Sequence, residues 1–418
     1  MKKNISLVIM LLMSLILFSQ NKNNKILKLS FSKGKEILIN ESLKSLSSYY
    51  NIDLASAEIE QKKLWNNPTF VWNADMYSVE RNTYFEFTNQ KLIQLEYVFS
   101  ISGKRIKAVK QAKIEHEIAQ YAYSDVLRGY VIEYSNLYSK LIALNQKNKI
   151  YESFLNNYSF LIKSYEKQLE LGGISLNELV RLKTEYLNIQ NLIILNKNEL
   201  LNTQASLATV LNLSSETTII PEERLVSNTL LDNYQSILSE AIENRPDYKI
   251  MQKNPELYKQ EIKVQKAQAI PDIKFGYQPH DKGSNYVRPY SGIVFEMGIP
   301  IFNRNQGEIK KSKIKLEQSK LELDYFKLKM ENDIIVTFEK LNNAQKMLNN
   351  FSPEFIKNVD ELTKQATVNF EKKNISIIQY IDYQTSYLNF KIQQADAQYQ
   401  YFEAINQINF EAGKELTN

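Results

Sequence analysis

Short stretches of alternating apolar and polar residues come in pairs along this chain, and each pair hands over to a long run with helical spacing. Phe70, Trp72, Ala74 and Met76 share one face of the first stretch, with Asn73 and Asp75 on the other. In the second, Ile93, Leu95, Tyr97 and Phe99 stand opposite Gln94 and Glu96. Later, Ile293, Phe295, Met297 and Ile299 stand opposite Gly292, Glu296 and Gly298. A period of two with one apolar face predicts half-exposed strands. A Pro precedes each pair (Pro68, Pro271), and polar links at 78–83 and 278–289 read as turns. The expectation is therefore two β-hairpins, over 68–101 and 271–301.

The helical runs are unusually long. Between Arg105 and Gly172-Gly173 there is no Pro and a single Gly, Gly129. About 67 helical residues at ~1.5 Å each would extend ~100 Å. Beyond that, Leu179, Leu182, Tyr186, Ile189, Ile193, Leu200, Leu207 and Leu211 recur at spacings of three, four and seven. Tyr380, Tyr383, Tyr387, Phe390, Ala397, Tyr401 and Ile408 repeat the pattern. Heptads of this kind predict helices packed side by side as a coiled coil. The turn-backs are expected at Gly172-Gly173 and Lys373-Asn374.

The two halves resemble each other. "LEYVFSI" (95–101) matches "FEMGIPI" (295–301), placing Glu96 on Glu296, and Lys140-Leu141 falls on Lys340-Leu341 at the same offset. "GISLNELVRLKTEYLN" (173–188) matches "NISIIQYIDYQTSYLN" (374–389) one position further apart. Several matches in the same order predict a tandem duplication. The division expected is a first repeat over 20–214, a linker or equatorial region over 215–240 and a second repeat over 241–418. The strand-to-helix joints recur too: "GIPIFNRNQG" (298–307) corresponds to "FSISGKR" (99–105), with Gly103 in the place of Asn303.

Composition narrows the setting. Lys2 and Lys3, an apolar run from Ile5 to Phe18 and the small Ser19 predict a signal peptide over 1–19. Fourteen apolar residues are short for a bilayer-spanning helix. There is no Cys, hence no disulfide and no thiol to carry a lipid anchor. Without the leader lysines the net charge is +3, with no basic stripe interleaved with aromatics, so nucleic acid is not an expected partner.

Four strands in one chain leave two open edges and an apolar face without cover. Either helices cover that face in a globule, or several chains close a barrel whose apolar face meets lipid. The helical stripes are already committed to one another, which favours the barrel. Bacterial outer-membrane barrels have at least eight strands, so four per chain require an oligomer, and three chains give twelve. The lipid-facing residues expected are Ile93, Leu95, Tyr97, Phe99, Ile293, Phe295, Met297 and Ile299.

The duplicated grammar covers residues 38–414. With "NRPDYK" (244–249), "PIFNRNQG" (300–307), "GGISLNELV" (172–180) and "KNISIIQYID" (373–382), it resembles the TolC-like outer-membrane factors. "PIFNRNQG" most resembles the CzcC/CusC-like branch serving heavy-metal exporters. The resemblance implies a mainly α fold with a membrane β part: a trimeric α-barrel of long coiled-coil helices beneath a shared 12-stranded β-barrel. It implies a homotrimer in the outer membrane with a large periplasmic part, working with a periplasmic membrane-fusion adaptor and an inner-membrane pump. RND-type metal or small-molecule export is the expected use. ABC-type protein or peptide secretion and a non-pore periplasmic scaffold are the alternatives. Many members of that branch carry a lipid on an N-terminal Cys, which this chain lacks.

The same resemblance places adaptor contacts at the tips, Gly172, Gly173, Ile174 and Ser175 in one copy and Lys373, Asn374, Ile375 and Ser376 in the other. It also implies lumen-facing acids just after the second turn, which map onto Gln379 and Asp382, with Glu178 and Arg181 in the first copy. Elsewhere the sequence offers little chemistry. His116, in "KIEHEIAQ", reads as a helix-surface residue, and His280 as an external-loop residue. Two His and no Cys predict no metal site, since zinc or copper needs three or four converging ligands. No phosphate-binding loop, nucleophile elbow or HExxH motif occurs, so neither a cofactor nor enzyme activity is expected.

Overall fold

The computed structural model describes residues 25–74, 76–78, 82–84, 91–214, 216–225, 233–281, 288 and 290–416. The expected leader over 1–19 lies outside them. The first half runs β1 (Lys25–Leu29), α1 (Phe31–Glu41), α2 (Leu43–Lys63), β2 (Thr69–Ala74), β3 (Tyr77–Ser78), β4 (Thr83–Tyr84) and β5 (Lys91–Phe99). Two long helices follow, α3 (Lys104–Glu170) and α4 (Leu176–Val210). The second half continues with β6 (Thr217–Pro221), α5 (Tyr234–Asn244), α6 (Pro246–Gln268), β7 (Ile273–Asp281) and β8 (Tyr290–Met297). It ends in α7 (Gln306–Asn349), α8 (Pro353–Glu371) and α9 (Ile377–Ala412).

Two compact units cut across the repeats. One takes 47–125 and 245–330; the other takes the described residues up to Leu46 with 126–244 and 331–416. The first unit holds a four-stranded antiparallel sheet in the order β2-β5-β7-β8. β7 continues to Asp281, so His280 and Asp281 belong to a strand and not to an external loop. Within the first hairpin link, β3 and β4 pair as a two-residue ribbon, Tyr77 opposite Tyr84. α6 begins with Pro246 after Arg245, whose guanidinium grips Asp247 at 2.7 Å. Its missing N–H costs nothing at that position, where no intrahelical acceptor exists.

The second unit is built on helices around a small parallel pair of strands, which the sequence pattern did not announce. β1 lies beside β6 with Lys25 opposite Thr217 and Leu29 opposite Pro221. Leu29, Leu38, Tyr134, Tyr138, Leu141, Leu207, Leu211 and Ile219 close over this pair as a core. The buried tyrosines keep partners for their hydroxyls: Tyr134 donates to the Phe31 carbonyl at 3.0 Å and Tyr138 to that of Leu29 at 2.7 Å. Burying each such leucine stabilises the fold by about 1.5–3 kcal/mol.

The long helical runs differ between the copies. α3 is a single 67-residue helix, as its freedom from Pro predicts. Its counterpart breaks between α7 and α8, where Ser352 caps the new helix by accepting from Phe355 N at 3.2 Å and Pro353 occupies its first position. Farther along, Tyr151, Phe154, Tyr158, Leu182, Ile189, Ile193, Ile377, Tyr380 and Leu388 form a second core, holding α3, α4 and α9 together toward their turns.

Candidate functional site

The sheet is turned inside out. Its register sets Phe70 beside Leu95, Leu95 beside Tyr277 and Tyr277 beside Ile293, with Tyr97, Phe275 and Phe295 in the next row. Phe295 is 64% and Ile293 70% exposed, whereas Gln94 and Glu96 on the opposite face are 7% and 8% exposed. Of the apolar positions expected on the outer face, Ile93, Leu95, Phe99, Met297 and Ile299 are also exposed. Tyr97 is half-buried, its ring edge-on to Phe99 at 4.6 Å.

The covered face is held by charge. Glu96 accepts from Gln94 Nε2 at 2.5 Å and from Lys274 Nζ at 2.8 Å, and Lys274 also reaches Glu296 at 3.1 Å. A buried carboxylate without such partners would be costly. Lys274 and Gln94 were not foreseen as partners; the alternation of β7, with Lys274 opposite Glu296 in register, was the available signal.

At one end of the sheet, where β5 and β8 both stop level with Ile273, the chain turns into a helix through one left-handed residue in each copy. These are Gly103, with φ +68°, and Asn305, with φ +56°. Gly103 O accepts from Lys107 N and Asn305 O from Ile309 N, each at 3.0 Å. Gly103 thus corresponds to Asn305 rather than to Asn303, because the helix begins on the residue after the left-handed one in both copies. Asn303 supports the turn by accepting from Asn305 N at 3.0 Å, and the Asn305 amide donates to the Gln265 carbonyl at 2.8 Å. β8 stops at Met297, three residues before Pro300, which cannot donate to a ladder.

The two helical turns have one geometry. Gly172 N donates to Leu169 O at 3.0 Å and Gly173 N to Gln168 O at 2.8 Å. Lys373 N donates to Phe370 O at 2.9 Å and Asn374 N to Asn369 O at 2.8 Å. Both are Schellman closures. Each next helix then opens with a capping box. Glu178 Oε2 accepts from Ser175 N at 2.8 Å, and Gln379 Oε1 accepts from Ser376 N at 2.9 Å. The Ser175 amide and hydroxyl hold the Glu178 carboxyl below its ordinary pKa.

Glu178 and Gln379 therefore have a local task, since their side-chain oxygens are turned back onto the helix end. Arg181 and Asp382, one turn on, are exposed and make no hydrogen bond or ion pair among the described residues. Ile174 and Ile375 are half-buried, and the other tip residues expected as contacts are exposed. An open groove of about 820 Å³ runs between the hairpins, lined by Phe154, Tyr165, Glu178, Asp360, Thr367 and Tyr387 among others.

Asp360 has no signature among the heptads and turns of the sequence, because a lone acid on a helix carries no signal of its own. It accepts from Tyr387 at 2.8 Å and pairs with Lys391 at 2.7 Å. Burial pushes its pKa up, but the bonds from Lys391 and Tyr387 outweigh it and hold the carboxyl low. Burial, and then the bond to Asp360, raise the Tyr387 hydroxyl. His116 is partly exposed on α3; the His280 side chain lies outside the described set. Among the described residues no group of three His, Cys, Asp or Glu could hold a metal, and no helix is long and apolar enough to cross a membrane.

Residues 46–213 match the model of a family described as Outer membrane efflux protein. The fold is that of outer-membrane channels. The chain is similar to the outer membrane protein VceC from Vibrio cholerae, at 14% identity and TM-score 0.72 over 92% of this chain and 96% of that one. It is similar to CusC at 14% identity and TM-score 0.71, covering 92% of each chain. The open-state MtrE channel of Neisseria gonorrhoeae gives 12% identity and TM-score 0.73 over 93% of this chain and 89% of the other. No curated protein matches the sequence. CusC stands no nearer than VceC, so the likeness singles out no branch.

Proposed function

We propose that this protein is the outer-membrane exit duct of a tripartite efflux system. Three copies close their four-stranded sheets edge to edge, β8 of one against β2 of the next, into a 12-stranded barrel. The observation that carries this reading is the inverted sheet, apolar on its exposed face and charged on the other, with both edge strands unpaired among the described residues. In water such a sheet would be an aggregation site; in a bilayer it is a barrel wall. The long helices form the periplasmic tube, and the tips at 172–175 and 373–376 receive an adaptor joined to an inner-membrane pump. The chain carries no catalytic step, and conduction through it is passive. Ile93, Leu95, Phe99, Ile293, Phe295, Met297 and Ile299 face lipid, with Tyr97 beside Phe99. Arg181 and Asp382 are the charges at the periplasmic mouth.

Within this reading, "PIFNRNQG" favours an RND-type pump exporting metal or small molecules. Membrane fractionation with planar-bilayer recording tests the duct: an outer-membrane protein giving discrete conductance steps is expected, and a soluble, non-conducting protein overturns it. Sensitivity of a deletion strain to copper, cobalt, zinc and cadmium tests the cargo, and unchanged sensitivity to all four removes the metal reading.

A further inference from the structure

Both helices that leave the sheet begin with cations. Residues 104–113 contain Lys104, Arg105, Lys107, Lys110 and Lys113 and no acid; residues 304–313 contain Arg304, Lys310, Lys311 and Lys313 against one acid, Glu308. This is a poor choice for helix stability. The N-terminal end of a helix carries partial positive charge and prefers Asp or Glu, yet the first turn of α3 has none. Local structure repays this only in part. Lys104 is matched by Asp272 at 3.0 Å and Lys311 by Glu308 at 3.5 Å, but Lys110, Lys310 and Lys313 are exposed.

The charged heads are also drawn back toward the sheet. Lys107 Nζ donates to the Ser102 carbonyl at 2.6 Å, at the level of the joint, and Arg105 Nη1 donates to the Lys63 carbonyl at 2.9 Å. The Arg105 guanidinium lies 4.0 Å over the ring of Trp65, which is 68% exposed. Close in sequence to this cationic band, Ile101, Ile299 and Ile301 are exposed, and Phe302 is 90% exposed. An exposed Trp and Phe at the border of an apolar band, with Lys and Arg just beyond, is the arrangement that sits at a membrane–water interface.

We infer that this band binds the anionic headgroups of phospholipids in the periplasmic leaflet of the outer membrane, of phosphatidylglycerol type. The inference rests on the barrel reading. Phosphodiester charge supplies a counter-ion to the exposed lysines Lys110, Lys310 and Lys313, while Trp65 and Phe302 enter the acyl boundary. The duplication places one such band after each hairpin, so each chain brings two.

The test uses the full-length oligomer in nonionic detergent, titrated with short-chain phosphatidylglycerol or phosphatidylcholine while its thermal midpoint is followed. Phosphatidylglycerol raises the midpoint at a concentration roughly tenfold below that needed for phosphatidylcholine, and 1 M salt abolishes the difference. In the combined variant Lys107→Gln, Lys110→Gln, Lys310→Gln and Lys313→Gln the two lipids become equivalent. Lys163→Gln with Lys167→Gln, which changes two lysines near the first tip, leaves the preference intact. Arg105→Gln alone, should the fourfold variant fail to assemble, weakens the preference. Equal response of the wild type to both lipids overturns the inference while leaving the duct standing. Failure of the protein to enter bilayers of any composition removes the duct itself.

Discussion

At the first tip the left-handed residue is Gly172, with φ +72°; at the second it is Lys373, with φ +61°. The hydrogen bonds around them correspond one for one, and both next helices start on a serine capping box. The backbone is thus the common element of the two copies, and the side chains diverge where the backbone does not depend on them. Where it does depend, the second copy carries a cost the first avoids: a left-handed Lys is less favourable than Gly by ~1 kcal/mol. The second copy also has something the first lacks. Asp360 ties Tyr387 and Lys391 together, whereas the matching residues of the first copy are Ser159, Tyr186 and Gln190.

The strongest way to break this correspondence lies in the sheet. Leu95→Arg and Phe295→Arg occupy equivalent positions on the exposed apolar face, and if that face meets lipid each is expected to cost about 2–4 kcal/mol at a bilayer midplane. Denaturant unfolding in lipid vesicles measures it, and unequal costs would show that the two hairpins meet different surroundings. At the tips the expected effects have opposite signs. Gly172→Ala destabilises by ~1 kcal/mol, all of it conformational because an added Cβ meets nothing within 4 Å. Lys373→Gly stabilises by about the same, less the chain entropy that glycine adds. Thermal midpoints of the two variants moving in the same direction would contradict the shared turn.

Asp360→Asn is expected to cost about 1 kcal/mol, read as faster hydrogen exchange in α8 and α9, with no counterpart for Ser159→Ala. Because the folded Asp360 titrates lower than the unfolded one, its contribution is present above the unfolded value and is lost as pH falls through the folded value. A similar but smaller contrast separates the capping boxes. Glu178 is held low, so the first box weakens on acidification, while neutral Gln379 leaves the second unchanged. Exchange of the Ser175 and Ser376 amides, corrected for intrinsic rates, reports it, and Gln379→Glu should confer the missing pH dependence. With the least effect on stability, Asp382→Ala and Arg181→Ala should shift ion selectivity in opposite senses in bilayer recordings. Unchanged selectivity in both removes these residues from the mouth.

Much of this was legible in the chain. Period-two alternation located β2, β5 and β8, and the Gly172-Gly173 pair located the first turn. The S-x-x-E and S-x-x-Q spacings at Ser175 and Ser376 were equally visible and name Glu178 and Gln379 as caps. For those two residues the cap is a nearer explanation than family likeness. The Ser352-Pro353 break was also written plainly. The joint at 303–307 was less readable, since Asn303 and Asn305 both tolerate a left-handed backbone and only the hydrogen bonds distinguish them. The β1–β6 pair was not legible, because pairing between distant strands leaves no periodic trace in either.

That last pair has a consequence for how the chain comes together in time. Phe31 N, just past β1, is bonded at 2.9 Å to Glu223, 192 positions later. A chain emerging from its N-terminus presents β1 long before β6 exists. Meanwhile Leu29 and the face of α1 that buries Leu38 have nothing to close over them. Long-range parallel pairing of this kind is slow and leaves strand edges open to wrong partners. A helical hairpin α3–α4 that forms first would bring Leu207 and Leu211 back beside Tyr138 and make the seat into which both strands then fit.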